Sequence, residues 1–158
     1  MQFINDAVRD AVIGVFDTML SLRLEALELA EGTLPTPTAA GIVGCVGMAG
    51  KINGTVYMSY PDRLACAIVE KMIGEAPASV DQPEVTDVIG ELANMVAGDL
   101  KRRTAEKGYN GLLVPPIVML GNGINIDSNG APISIFRSFR VPNSPEPLSV
   151  RFFAKLEG

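Results

Sequence analysis

A carboxylate and a carboxamide three residues apart, Glu91 and Asn94, are the side chains whose types and spacing best suit joint chemistry in this sequence. Residues three apart on a helix are neighbours pointing the same way. The carboxylate pairs with cations, and the amide donates and accepts hydrogen bonds together without ionising. The chain has no histidine. That removes the commonest general base, the commonest zinc ligand and every Ser-His or Cys-His nucleophile arrangement. Chemistry here must run on carboxylates, amides, hydroxyls or groups that a partner brings.

The pair lies in a stretch whose pattern predicts a long helix from about Glu84 to about Gly108. At about 100° per residue, Val85, Val88, Ile89, Leu92 and Val96 fall in one apolar sector, the core side. The opposite sector carries Asp87, Gly90, Glu91, Asn94, Gly98 and Lys101. Each helix-interior glycine costs roughly 1 kcal/mol relative to alanine, so propensity does not select this face. It is open to two readings. Gly90 and Gly98 keep the surface low so that Glu91 and Asn94 project into a partner's cleft, or the face is ordinary solvated helix whose glycines pack on a neighbour.

Other elements must hold that helix. From Phe3 to Leu20 apolar residues recur at three- and four-residue steps, predicting a first helix with one buried face. Glu25 to Glu31 is rich in helix formers, although Leu20, Leu22 and Leu24 alternate like a strand; Gly32, Pro35 and Pro37 mark a turn or loop. Ile42–Met48 and Thr55–Tyr60 read as a β-hairpin with Asn53-Gly54 as its turn signal. Pro61 and Gly74 bracket a short second helix, and Ala76 to Pro83 is a connector. Ile117–Leu120, Ile133–Phe139 and Leu148–Ala154 read as strands, the last with one wet face. The expectation is one α+β domain spanning residues 1–158, an antiparallel sheet with helices packed on one face, without internal repeats.

Composition excludes several classes. With 13 Lys plus Arg against 18 Asp plus Glu, the net charge of −5 argues against nucleic acid. The one basic cluster, Lys101, Arg102 and Arg103, reads as solvated cations at a helix C-terminus. Cys45 and Cys66 form no metal-ligand pattern and are expected as reduced thiols in a cytosol, with a disulfide between them the alternative. Neither a secretory signal nor a membrane span is evident, so a cytoplasmic protein is expected. Gly41, Gly44, Gly47 and Gly50 match no phosphate-binding loop and are expected to let a helix approach a sheet. Ser59, Ser79 and Ser134 lack a nucleophile turn, and Asp127 to Gly130 is a turn rather than a calcium loop.

The stretch Asp87-Val-Ile-Gly-Glu91-Leu-Ala-Asn94-Met-Val-Ala-Gly98 resembles the E-x-x-N signature of the bacterial chemotaxis phosphatases of the CheC, CheX and FliY family, including the acidic residue four places before the glutamate. Val15 to Leu20, Gly54 to Ser59, Met72 to Glu75, Glu106 to Tyr109 and the Pro115-Pro116 pair are similar to the CheX branch. The motif occurs once, whereas CheC-like and FliY-like members carry two. The resemblance covers roughly Phe3 to Lys155. It implies a phosphatase acting on the phosphoaspartate of a CheY-like response regulator that supplies its own Mg2+ and lysine, with no cofactor on this chain. By motif position Asn94 would orient the attacking water and Glu91 would pair with the regulator's lysine, while Asp87, Gly90, Gly98 and Lys101 would meet the partner. It also implies a sheet-edge homodimer, for which Leu148–Ala154 is the expected edge. The reading from a different class is a non-catalytic dimeric module that binds a regulator or a flagellar component.

Overall fold

The computed structural model describes residues 2–28, 38–39, 41–121 and 123–157. Helix α1, Gln2–Leu20, buries Ile4, Val8, Val12, Phe16 and their neighbours, following the predicted periodicity. It ends where Ser21 turns to a φ of 52° and Leu22 N–H reaches back to the Phe16 carbonyl, at 3.2 Å. The helix formers after it do not make a helix at their start. Glu25–Leu27 is strand β1, and pairing with a neighbour overrides local propensity. Gly32, Pro35 and Pro37 lie outside the described residues.

Thr38–Ala39 forms β2, and β3, Ile42–Gly50, and β4, Ile52–Tyr60, form the hairpin. Its reversal falls at Lys51, earlier than the Asn-Gly signal suggests, and Gly54 already pairs with Met48. Asn53 instead clamps the reversal: its side chain accepts from Gly50 N–H at 3.0 Å and donates to the Gly50 carbonyl at 2.8 Å. Helix α2, Asp62–Ile73, starts after Pro61 and stops at Gly74, whose φ of 86° suits glycine. Helix α3, Pro83–Ala105, ends three residues earlier than expected, because Lys107 and Gly108 close tighter turns onto Thr104 and Ala105. Then come β5, Gly111–Leu113; β6, Ile117–Leu120; β7, Ile124–Asn125; β8, Ile133–Arg140; and β9, Leu148–Leu156.

The main sheet runs β1-β8-β9-β4-β3-β5, all antiparallel, with β6 sharing β3's outer side, while β2 and β7 pair separately. Strand β9 is therefore central, between β4 and β8, and is not the expected edge. Its alternation reports which faces are wet and says nothing of how many neighbours it has. The second face is not simply wet either. Phe153 packs beside Val43 and Ile126, and Arg151 is 4% exposed with its guanidinium 5.0 Å from the Phe136 ring centroid.

The pairing reveals a duplication, contrary to the expectation of no internal repeat. The order helix, β1, β2, β3, β4 recurs after α2 as helix, β5 with β6, β7, β8, β9. Among the described residues every pairing besides the two hairpins joins the halves: β1 with β8, β5 and β6 with β3, β4 with β9, β2 with β7. One sequence echo survives, Val12-Ile13-Gly14 followed by Met19 and Val88-Ile89-Gly90 followed by Met95.

The helices share one face of the sheet and one core with it. Helix α3 crosses β3 at Gly44, where a Cβ would stand 3.0 Å from the Ile89 carbonyl and 3.2 Å from Ala93 Cβ. The expected close approach holds at Gly44, whereas Gly41 and Gly50 serve positive-φ backbone and Gly47 faces Val114. Burial of Val85, Ile89, Leu92 and Val96, all at 0% exposure, stabilises this seat by about 1.5–3 kcal/mol per side chain. The Gly44→Ala variant is expected to lose about 1–3 kcal/mol in urea unfolding, because its methyl meets a backbone carbonyl that has no rotamer to yield; a wild-type midpoint would refute this account of the contact.

Candidate functional site

Seating α3 through its apolar sector turns the opposite sector outward. Asp87 and Glu91 are exposed, and Asn94, Gly98 and Lys101 are half-buried along the same side. Gly90 departs from this set. It is buried, and a Cβ there would lie 3.4 Å from Val118 Cγ2 and 3.9 Å from Pro116. Its bareness admits the segment leading into β6, so it is a packing glycine at the border of the face. Gly98 is the opposite case, with nothing within 4 Å of the place a Cβ would take.

Among the described residues, neither the Glu91 carboxylate nor the Asn94 amide makes a hydrogen bond or ion pair within the chain. Their positions come from α3 alone, and their bonding capacity faces outward. One turn on, polar groups are saturated. Asp99 accepts from Arg102 at 2.6 Å and Arg103 at 2.9 Å, Arg102 also meets Glu106 at 3.2 Å, and Arg103 stands 3.9 Å from Asp10 of α1. Burial alone would raise the Asp99 carboxyl, but its bonds to Arg103 and Arg102 outweigh that and hold it below the usual range. Arg102 and Arg103 of the basic cluster thus tie the end of α3 to itself and to α1, while Lys101 stays on the outward face.

Beside the polar face, α1 and α3 leave a groove lined by Thr18 and Met19 on one side and Met95 and Arg102 on the other. Sequence periodicity does not bring these together, since α1 and α3 meet only through tertiary packing; the Gly14…Met19 and Gly90…Met95 echo is the signal that pairs the helices. No group of three or more Cys, Asp or Glu side chains among the described residues is arranged to hold a metal ion. Both cysteines are free, Cys45 buried and Cys66 half-buried, and burial pushes both thiols up. No helix among the described residues is long and apolar enough to cross a membrane.

Residues 42–139 match the family described as Chemotaxis phosphatase CheX. The CheY-P phosphatase CheX of Thermotoga maritima is 31% identical over 99 residues, which is 60% of this chain and 64% of that protein, so the match spans a little under two thirds of the relative. The crystal structure of chemotaxis protein CheX from Vibrio vulnificus superposes with a TM-score of 0.84 at 26% identity, covering 98% of this chain and 100% of that one. The CheX of Borrelia burgdorferi, solved as a complex with CheY, BeF3 and Mg2+, superposes at 0.81 with 20% identity over 95% of this chain and 96% of that one.

A glycine with open space around it inside a helix weakens the free protein. Gly98→Ala is expected to raise unfolding stability by about 0.5–1 kcal/mol, read from the denaturant midpoint, because the added methyl meets nothing within this chain. An unchanged or lowered midpoint would mean that Gly98 satisfies a demand of this fold itself.

Proposed function

Because this chain belongs to the CheX family of chemotaxis phosphatases, we propose that it removes the phosphoryl group from the phosphoaspartate of a CheY-like response regulator. The observation that carries the reading is the pair Glu91 and Asn94, side by side on a low helix face and free of bonds to any other described residue. The names of the relatives support it: the Thermotoga protein is a CheY-P phosphatase, and the Borrelia CheX was solved with CheY, BeF3 and Mg2+.

The division of labour follows from what each side holds. The regulator brings the phosphoaspartate, its Mg2+ and a lysine, so charge stabilisation at phosphorus arrives with the substrate. Asn94 accepts a hydrogen bond from the attacking water with its amide oxygen and holds the water in line. It does so at any physiological pH, because an amide does not titrate there. Glu91 pairs with the regulator's lysine, a charge-assisted contact worth about 1.5–3 kcal/mol once shielded from water, and so fixes how far Asn94 enters. Asp87, Gly98 and Lys101 meet the regulator around the pair, and Gly90 acts by letting Pro116 and Val118 close beside it. The protein works in the cytoplasm, where such regulators are.

It does so as a homodimer joined at the β5/β6 edge rather than at β9. Among the described residues, β5 and β6 pair only on their β3 side, and they and the loop between them expose Leu112 (74%), Val114, Ile117 (59%) and Leu120. Light scattering after size exclusion is expected to give a dimer for the wild type and a monomer for Leu112→Lys with Ile117→Lys; a monomeric wild type removes the proposal.

Phosphate release from a panel of phosphorylated regulators encoded in the same genome tests the activity. Asn94→Ala is expected to lose about 100-fold or more of the acceleration while still binding the regulator, whereas Glu91→Ala loses affinity as well. A panel in which regulators bind but none is accelerated assigns the chain to the non-catalytic binding class instead.

A further inference from the structure

We propose that the groove between α1 and α3 seats the surface of the regulator next to its phosphorylated aspartate, and that Thr18 and Met19 of α1 thereby set which regulator is accepted. This rests on the phosphatase reading above. The groove has a volume of about 470 Å³ and is lined by Gly14, Thr18 and Met19 from α1 and by Met95, Arg102 and Arg103 from α3.

Continuity identifies the occupant. Met95 follows Asn94 directly and lies one turn beyond Glu91, so a body whose phosphoaspartate meets Asn94 also covers Met95, and Met95 is a wall of the groove. Across from it Met19 is 41% exposed, an unbranched thioether that adapts to a partner's apolar surface. The floor is open, with nothing within 4 Å of where a Cβ on Gly14 would be. In the duplicated helix pattern, Val15 and Thr18 occupy the places that Glu91 and Asn94 hold in α3. Helix α1 thus has neither the carboxylate nor the amide, and what it offers a regulator is contact.

The experiment is steady-state phosphate release with regulators phosphorylated by acetyl phosphate, comparing the wild type with Thr18→Arg and Met19→Glu, both at exposed positions. Each variant is expected to raise the half-saturating regulator concentration about tenfold with kcat within about twofold of wild type, the split expected of a contact outside the chemistry. Met19→Leu is expected to keep wild-type half-saturation. Unchanged half-saturation in both charged variants, with unfolding midpoints like the wild type, overturns the groove and leaves the phosphatase standing. If the wild type accelerates no regulator, that activity falls, and titration with BeF3-activated regulators decides the groove alone: weakened binding by Thr18→Arg sustains it, while equal binding, or no binding by the wild type, overturns it.

Discussion

The close seating of α3 on β3 is the constraint from which the rest of the structure follows. Gly44 lets the Ile89 and Ala93 turn of the helix come down on the strand, where any larger residue would press on the Ile89 carbonyl. Once seated, α3 cannot roll without exposing Val85, Ile89, Leu92 and Val96, each worth about 1.5–3 kcal/mol buried. Rotation about the helix axis is what would mis-aim Glu91 and Asn94. A side-chain pair that receives no hydrogen bond from the other described residues is therefore aimed by the hydrophobic effect acting on the opposite side of its helix.

The duplicated topology gives that arrangement a second use. Helices α1 and α3 hold equivalent places in chain order, α1 before β1 and α3 before β5 and β6, yet only α3 carries the carboxylate and amide. At the corresponding places α1 has Val15, which is buried, and Thr18, which is exposed. Equivalent frames thus support unequal chemistry, since the backbone sets position and a few side chains set function. The knot of Asp99, Arg102, Arg103 and Asp10 fastens the two helices at one end, and Phe3 stacks on Tyr109 at 6.0 Å between ring centroids, so the groove between them has defined walls.

What the sequence made legible divides along physical lines. Helices α1, α2 and α3 and strands β8 and β9 are readable because one buried face imposes a period on each, and β6 because its four residues form a short apolar run. The E-x-x-N spacing was readable because helical geometry alone makes those residues neighbours. Strand β1 was not, because three residues are held there by pairing with β8 against their helix propensity. The central place of β9 was not, because alternation encodes faces and leaves strand neighbours unspecified. Gly90 falls on the bare face by its angle around the helix, and only the fold brings Val118 and Pro116 over it. The α1–α3 groove is tertiary throughout, and the short echo around Gly14 and Gly90 is its single trace in sequence.

The missing histidine acquires its meaning from this geometry. An enzyme that must ionise its own base needs burial or a charged neighbour to tune it. Here the reacting phosphoryl group, the metal and the lysine belong to the regulator in the proposed mechanism, and the chain supplies an amide and a carboxylate on an exposed helix. Left in water, that pair does little, since its hydrogen bonds are as well made with solvent. When the low face closes against a regulator, water leaves, the effective dielectric falls, and the same carboxylate becomes a strong partner for a lysine. Bareness of α3 in the free chain is then the condition for selectivity: the chemistry has no strength until the correct surface covers it.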